Sequence, residues 1–110
     1  MAFSEALAAR VREVLGRQKG ITERKMFGGL AFLLNGNMCC GIVGDRLMLR
    51  LGESGAAEAL AESHAGVMDF TGKPMKSMVY VDPGGFASEE ALRKWVRRAV
   101  AYASTLPAKA

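Results

Sequence analysis

Leu30 to Arg50 reads LAFLLNGNMCCGIVGDRLMLR, and the fold hinges on how this stretch is paired. Two apolar runs, Leu30–Leu34 and Asn37–Val43, flank Asn35-Gly36. Both turn residues tolerate positive φ, so Asn-Gly favours a two-residue hairpin turn. Gly44-Asp45 reverses the chain again, into Arg46–Leu51. The stretch therefore predicts a three-stranded antiparallel meander.

Two-residue turns in both hairpins set a register. Leu34 then faces Asn37, Phe32 faces Cys39 and Ala31 faces Cys40. In the second hairpin Val43 faces Arg46, Cys40 faces Leu49 and Cys39 faces Arg50. Side chains alternate between the faces of a strand, so the register sends the two thiols to opposite sides. Cys40 shares its side with Ala31, Leu33, Met38, Ile42, Leu47, Leu49 and Leu51. That side is apolar throughout and is expected to lie under helices. Cys39 shares the other with Leu30, Phe32, Leu34, Val43, Arg46, Met48 and Arg50, a greasy surface edged with arginine.

This register bears on the chemistry open to the only two cysteines. A disulfide between neighbours that point apart needs strained geometry. A zinc site needs about four ligands, and the chain offers one histidine, His64, besides two divergent thiols. Arg50 across the strands could stabilise a Cys39 thiolate. A nucleophile also needs a positioned base, and nothing in the sequence brings His64 near. Both cysteines are read as packing residues, and no catalytic, cofactor-binding or metal-binding residue is assigned.

Outward from the meander, the sequence predicts helices at both ends. The first spans Phe3 to Lys19, with Ser4 as N-cap, an apolar stripe of Leu7, Val11, Val14 and Leu15, and Gly20 as C-cap. A short strand over Glu23–Phe27 precedes Gly28-Gly29, which suggests a bend or bulge. A phosphate loop would want a helix after those glycines, and a strand follows. Ser54 caps a short helix to Ser63; extended segments follow at Val67–Phe70 and Lys76–Val81. The last helix begins after Ser88, carries Leu92, Trp95, Val96, Ala99, Val100 and Ala103 on one stripe, and ends by Pro107. The whole predicts an α+β, two-layer fold: an antiparallel sheet with helices on one face, in the order α-β-β-β-β-α-β-β-α.

With 110 residues, residues 1–110 are expected to form a single domain, and half of them are hydrophobic. Apolar runs such as Leu30–Leu34 are far short of a bilayer span, and no secretory signal is visible. A cytoplasmic setting is expected, where thiols stay reduced. The net charge of +4 comes largely from Arg10, Arg12 and Arg17 in the first helix and Arg93, Lys94, Arg97 and Arg98 in the last. Those charges permit contact with nucleic acid if they share one exposed stripe, and otherwise only solvate a helix face. The basic turn around Lys73 and Lys76, with Arg24 and Lys25 as neighbours, is the candidate anion contact.

The mixed side of the meander is too apolar to stay wet on a small monomer. A second copy of the chain is its simplest cover. A homodimer is thus expected, with Leu30, Phe32, Leu34, Cys39, Val43, Arg46, Met48 and Arg50 as candidate interface.

Four blocks in order, RKMFGGLAF (Arg24–Phe32), CCGIVGDRLMLRL (Cys39–Leu51), MDFTGKPMKSMVYV (Met68–Val81) and a final helix with Trp95 and YASTLP (Tyr102–Pro107), resemble the N-terminal domain of the TfoX/Sxy family of bacterial competence regulators. The resemblance runs from about Phe3 to Pro107. It implies a compact α+β domain of secretion-chaperone-like architecture. The family's larger members carry a second, C-terminal domain, so a stand-alone N-terminal domain is expected here. The resemblance supplies no catalytic residues. The reading that follows is a non-catalytic regulatory or protein-interaction module, tied by resemblance to transcriptional regulation of competence-type genes. The alternatives are a weak nucleic-acid-binding protein and an enzyme that uses Cys39 or the basic turn.

Overall fold

A computed structural model describes residues 4–16, 18–26, 28–69 and 74–108. The element order is α1 (Glu5–Leu15), β1 (Ile21–Met26), β2 (Gly29–Leu34), β3 (Asn37–Val43), β4 (Arg46–Arg50), α2 (Gly52–Leu60), β5 (Ala65–Asp69), β6 (Pro74–Val81), a 3-10 turn (Pro83–Gly85) and α3 (Glu89–Ala103). All strands join one antiparallel sheet of order β1-β2-β3-β4-β6-β5. The expected α+β order and antiparallel sheet are both present.

Local chemistry explains several element ends. Ser4 Oγ accepts from Leu7 N at 3.2 Å, and Ser88 Oγ accepts from Ala91 N at 3.1 Å, so each hydroxyl satisfies an otherwise free amide of the first turn. Helix α1 stops at Leu15, short of the expected Lys19, and Gly20 instead turns the chain at φ 85° and accepts a bond from Asn35 N. Helix α2 begins at Gly52 rather than after Ser54. Gly52 has φ 78°, and a Cβ there would lie 2.5 Å from the Tyr102 ring of α3. Only glycine permits that turn and that close approach.

The three helices share one face of the sheet. Leu7, Val11 and Leu15 of α1, Ala56 and Ala59 of α2, and Leu92, Trp95, Val96 and Ala99 of α3 form one core with Leu30, Phe32, Leu34, Ile42, Leu47, Leu49, Val79 and Val81. Trp95 is buried and donates its indole N–H to Gly85 O at 3.1 Å, so its one polar group is satisfied. Asn37 is buried at the end of β3, where its amide donates to Pro107 O at 2.8 Å and ties the chain beyond α3 to the sheet.

The register of the first hairpin differs from expectation. Leu34 faces Asn37 and Leu33 faces Met38, but Phe32 then faces Cys40. Cys39 is an extra residue, a β-bulge, which shifts every later pair by one. The second hairpin is regular, with Val43 opposite Arg46 and Cys40 opposite Leu49 as expected, but the expected pairing of Cys39 with Arg50 is not in the ladder, because the bulge turns Cys39 into the helix-side core. Three corrections follow. Leu30, Phe32 and Leu34 point into the helix-side core, not away from it. Ala31 and Leu33, paired with Gly41 and Met38, belong to the opposite face. Finally, the two thiols do not diverge: Cys39 and Cys40 are both fully buried in the helix-side core.

Candidate functional site

On the other face of the sheet no described helix packs. Register and alternation place Ala31, Leu33, Met38, Gly41, Val43, Arg46, Met48, Arg50, Met78 and Tyr80 there. One row crosses the sheet from edge to edge: Arg24, Ala31, Gly41, Met48, Tyr80 and Gly66. Within it Met48 and Tyr80 lie side by side between Gly41 and Gly66. A Cβ on Gly41 would lie 2.5 Å from Met48 Cε, so the absent side chain is what lets Met48 lie down on the sheet.

Met48, Met78 and Tyr80 form a second, smaller cluster, with Met38 and Val43 packed against it. Arg46 covers it, its guanidinium carbon 4.0 Å from the centre of the Tyr80 ring. A guanidinium laid flat on an aromatic ring gains cation–π attraction and keeps its in-plane N–H groups free to donate. Arg50 stands at the rim, 5.9 Å from the Tyr102 ring. The face is thus a methionine-and-tyrosine floor under one half-buried arginine, Arg46, with Arg50 at its rim beside Tyr102 of α3.

Among the described residues no carboxylate pairs with the arginines of this face. The ion pairs of the described residues lie elsewhere: Arg10–Glu89 at 2.9 Å, Arg12–Glu23 at 2.8 Å, and Glu62 with Lys94 at 3.3 Å and Arg98 at 2.7 Å. Arg24, Arg46 and Arg50 have no such partner among the described residues. The paired carboxylates show the effect of their cations. Arg12 holds Glu23 below the usual carboxylate range, and Arg98 does the same for Glu62.

Of the eight expected interface residues, Val43, Arg46, Met48 and Arg50 lie on this face. Leu30, Phe32, Leu34 and Cys39 are in the core behind it. The sequence reading missed Ala31, Leu33, Met38, Met78 and Tyr80. Gly41 was the available signal, because an isolated glycine within a strand marks a bulge or a close approach.

The expected anion contact is not one site. Arg24 pairs with Ala31 and Lys25 with Leu30, so alternation sends them to opposite faces. Lys76 lies on β6, four strands from β1, or about 19 Å across the sheet. Lys73 lies outside the described residues.

Elsewhere the chemistry is sparse. The neighbouring Cys39 thiol, followed by burial, pushes the Cys40 thiol well above its ordinary value, so it stays protonated. His64 is exposed and leans on Gly84 and Gly85, outside the thiol core. No three metal-ligating side chains gather among the described residues. Two shallow clefts flank the end of α1; the larger, about 330 Å³, is lined by Arg12, Gln18, Glu23 and Phe32, and its charges are already paired with each other. No described helix is long and apolar enough to cross a membrane.

Compared with known proteins, residues 13–103 match the TfoX N-terminal domain. No curated protein and no solved structure shows a significant match.

Proposed function

We propose that this chain, which belongs to the TfoX N-terminal domain family, is a non-catalytic regulatory module of the bacterial cytoplasm that acts by binding a partner on the helix-free face of its sheet. The observation that carries the reading is Arg46 stacked on Tyr80 above Met48 and Met78, on a face that no described helix covers. Such a surface suits a protein partner that brings carboxylates to the arginines and apolar side chains to the floor. The link to competence-type genes rests on the family alone.

A catalytic role for the cysteines finds no support in their setting. Both thiols are fully buried, and Cys40 is held protonated, whereas a reactive cysteine needs an exposed thiolate. Nucleic-acid binding through the terminal helices is also weakened. Arg10, Arg12, Lys94 and Arg98 are engaged with Glu89, Glu23 and Glu62, which leaves exposed Arg93 and Arg97 of α3, among the described residues, as the unpaired cations of the two terminal helices.

The test compares two double variants in cells that report competence-type transcription. Arg46→Glu/Arg50→Glu is expected to abolish the response while leaving the circular-dichroism melt near that of the parent. Cys39→Ala/Cys40→Ala is expected to keep the response at temperatures where it stays folded. A response that survives the arginine reversal, or that disappears with the thiols in a folded protein, would refute the reading.

A further inference from the structure

The sheet has two edges, and they are built differently. Edge β1 reads ITERKM and exposes Thr22, Glu23, Arg24 and Lys25. Mixed charge on an edge strand blocks pairing with another strand. Edge β5 reads AGVMD and has no charge before its last residue. Only two large apolar side chains of the described residues are exposed, Val67 at 50% and Leu60 at 41%. Both lie at this edge. Val67 pairs with Val79 of the helix-side core, so it points to the helix side, and Leu60 ends α2, the helix that packs over β6 and β5.

The backbone of β5 is also poised to pair. Asp82 N donates to His64 O at 2.8 Å, which makes His64 and Asp82 a hydrogen-bonded position of the ladder. Such positions alternate along an antiparallel pair. Gly66 opposite Tyr80 is the next, so Ala65 and Val67 turn their N–H and C=O outward. Ala65 N indeed finds Glu62 O rather than β6.

We infer that β5 is a self-association edge, at which a second copy of the chain pairs antiparallel about a two-fold axis at Val67. The outward N–H and C=O of Val67 then exchange two hydrogen bonds with Val67 of the other copy. A two-fold axis perpendicular to the sheet keeps the helices of both copies on one side. The two Val67 side chains then come together on the helix side of the sheet, where each copy removes the other's from water. The nearby acid Glu62 offers no repulsion, because Lys94 and Arg98 neutralise it. The result is a continuous twelve-stranded sheet, twice the six strands of one copy. This contact is separate from the helix-free face and leaves that face open in both copies.

Sedimentation velocity tests the assignment. The parent chain at about 100 µM is expected to sediment as a dimer, twice the 11.8 kDa of the chain. Val67→Lys is expected to weaken association at least about tenfold with the thermal melt preserved. Val67→Pro removes the outward N–H and is expected to do the same, since proline is tolerated on a strand edge. A parent chain that is monomeric at this concentration overturns the inference. So does a dimer that folded Val67→Lys leaves intact, and so does one that Arg46→Glu breaks while Val67→Lys does not, which would move the contact to the helix-free face.

Discussion

The two hairpins that share β3 begin alike and diverge within three residues of the first turn. Each reverses on two residues: Asn35-Gly36, both at positive φ, and Gly44-Asp45, with only Gly44 at positive φ. The second hairpin then runs in regular register for all its pairs. The first accepts an extra residue, Cys39, between Leu33–Met38 and Phe32–Cys40. The difference teaches that a tight turn sets pairing only next to itself. Farther along, the register goes to whichever pairing buries the larger side chains. Here the bulge turns Phe32 and Leu30 into the helix-side core and keeps Ile42 and Leu47 there as well. Without it one strand of the pair would present its large residues to the wrong side.

The strongest way to break this comparison is to charge the two sides of the bulged hairpin. Phe32→Asp puts a carboxylate into the helix-side core and is expected to cost more than about 4 kcal/mol, enough to unfold the chain. Met38→Asp, on the half-buried helix-free face, is expected to cost about 1–2 kcal/mol and to leave a cooperative melt. Urea denaturation of both variants reads the difference, and the opposite ranking would mean a regular first hairpin.

Gly41→Ala is next. Its Cβ would meet Leu30 O at 2.6 Å and Met48 Cε at 2.5 Å. The methionine can move, but the carbonyl belongs to the ladder. A loss of about 3 kcal/mol is expected in the same denaturation experiment. Gly44→Ala has open space around its Cβ, so only its φ of 63° opposes the change.

Deleting Cys39 sharpens the comparison. The pairs on either side of the bulge then become consecutive, and the first hairpin should become as regular as the second. The expected outcome is a folded protein, weaker by about 2 kcal/mol for the lost buried side chain. Amide exchange should still protect Phe32 and Leu34. Failure to fold would show that the bulge itself, and not the sides it assigns, is what the core requires.

The smallest effect is electrostatic. Glu23 faces Phe32 in the ladder, so it points to the helix side, where Arg12 of α1 holds it. Its folded pKa is lowered, chiefly by the hydrogen bond from Arg12. The stability it contributes is therefore present above the unfolded carboxylate pKa and disappears as pH falls through the folded value. Both partners are partly exposed, so solvent screening keeps the contribution small. Comparison of acid melts of the parent and Glu23→Gln should show curves that converge below the carboxylate range.

Much of this was legible from particular residues. Asn35-Gly36 and Gly44-Asp45 announced the meander, Ser4 and Ser88 announced two helix starts, and Leu92, Trp95, Val96 and Ala99 announced the buried stripe of α3. The bulge was written only as Gly41, and the exchange of Phe32 for Met38 between the faces followed from overlooking it. Leu60 and Val67 looked like ordinary apolar positions until the strand order made β5 an edge.

The sequence by itself determined the α+β order, the positions of the reversals and the burial of one sheet face, because capping, positive φ and period are properties of neighbouring residues. Only the tertiary structure decided which side each half of the first hairpin shows, that both thiols share one core, and which cations are spent on carboxylates. Those outcomes depend on the competition of distant side chains for one interior. A single inserted residue in a period-two strand inverts everything beyond it.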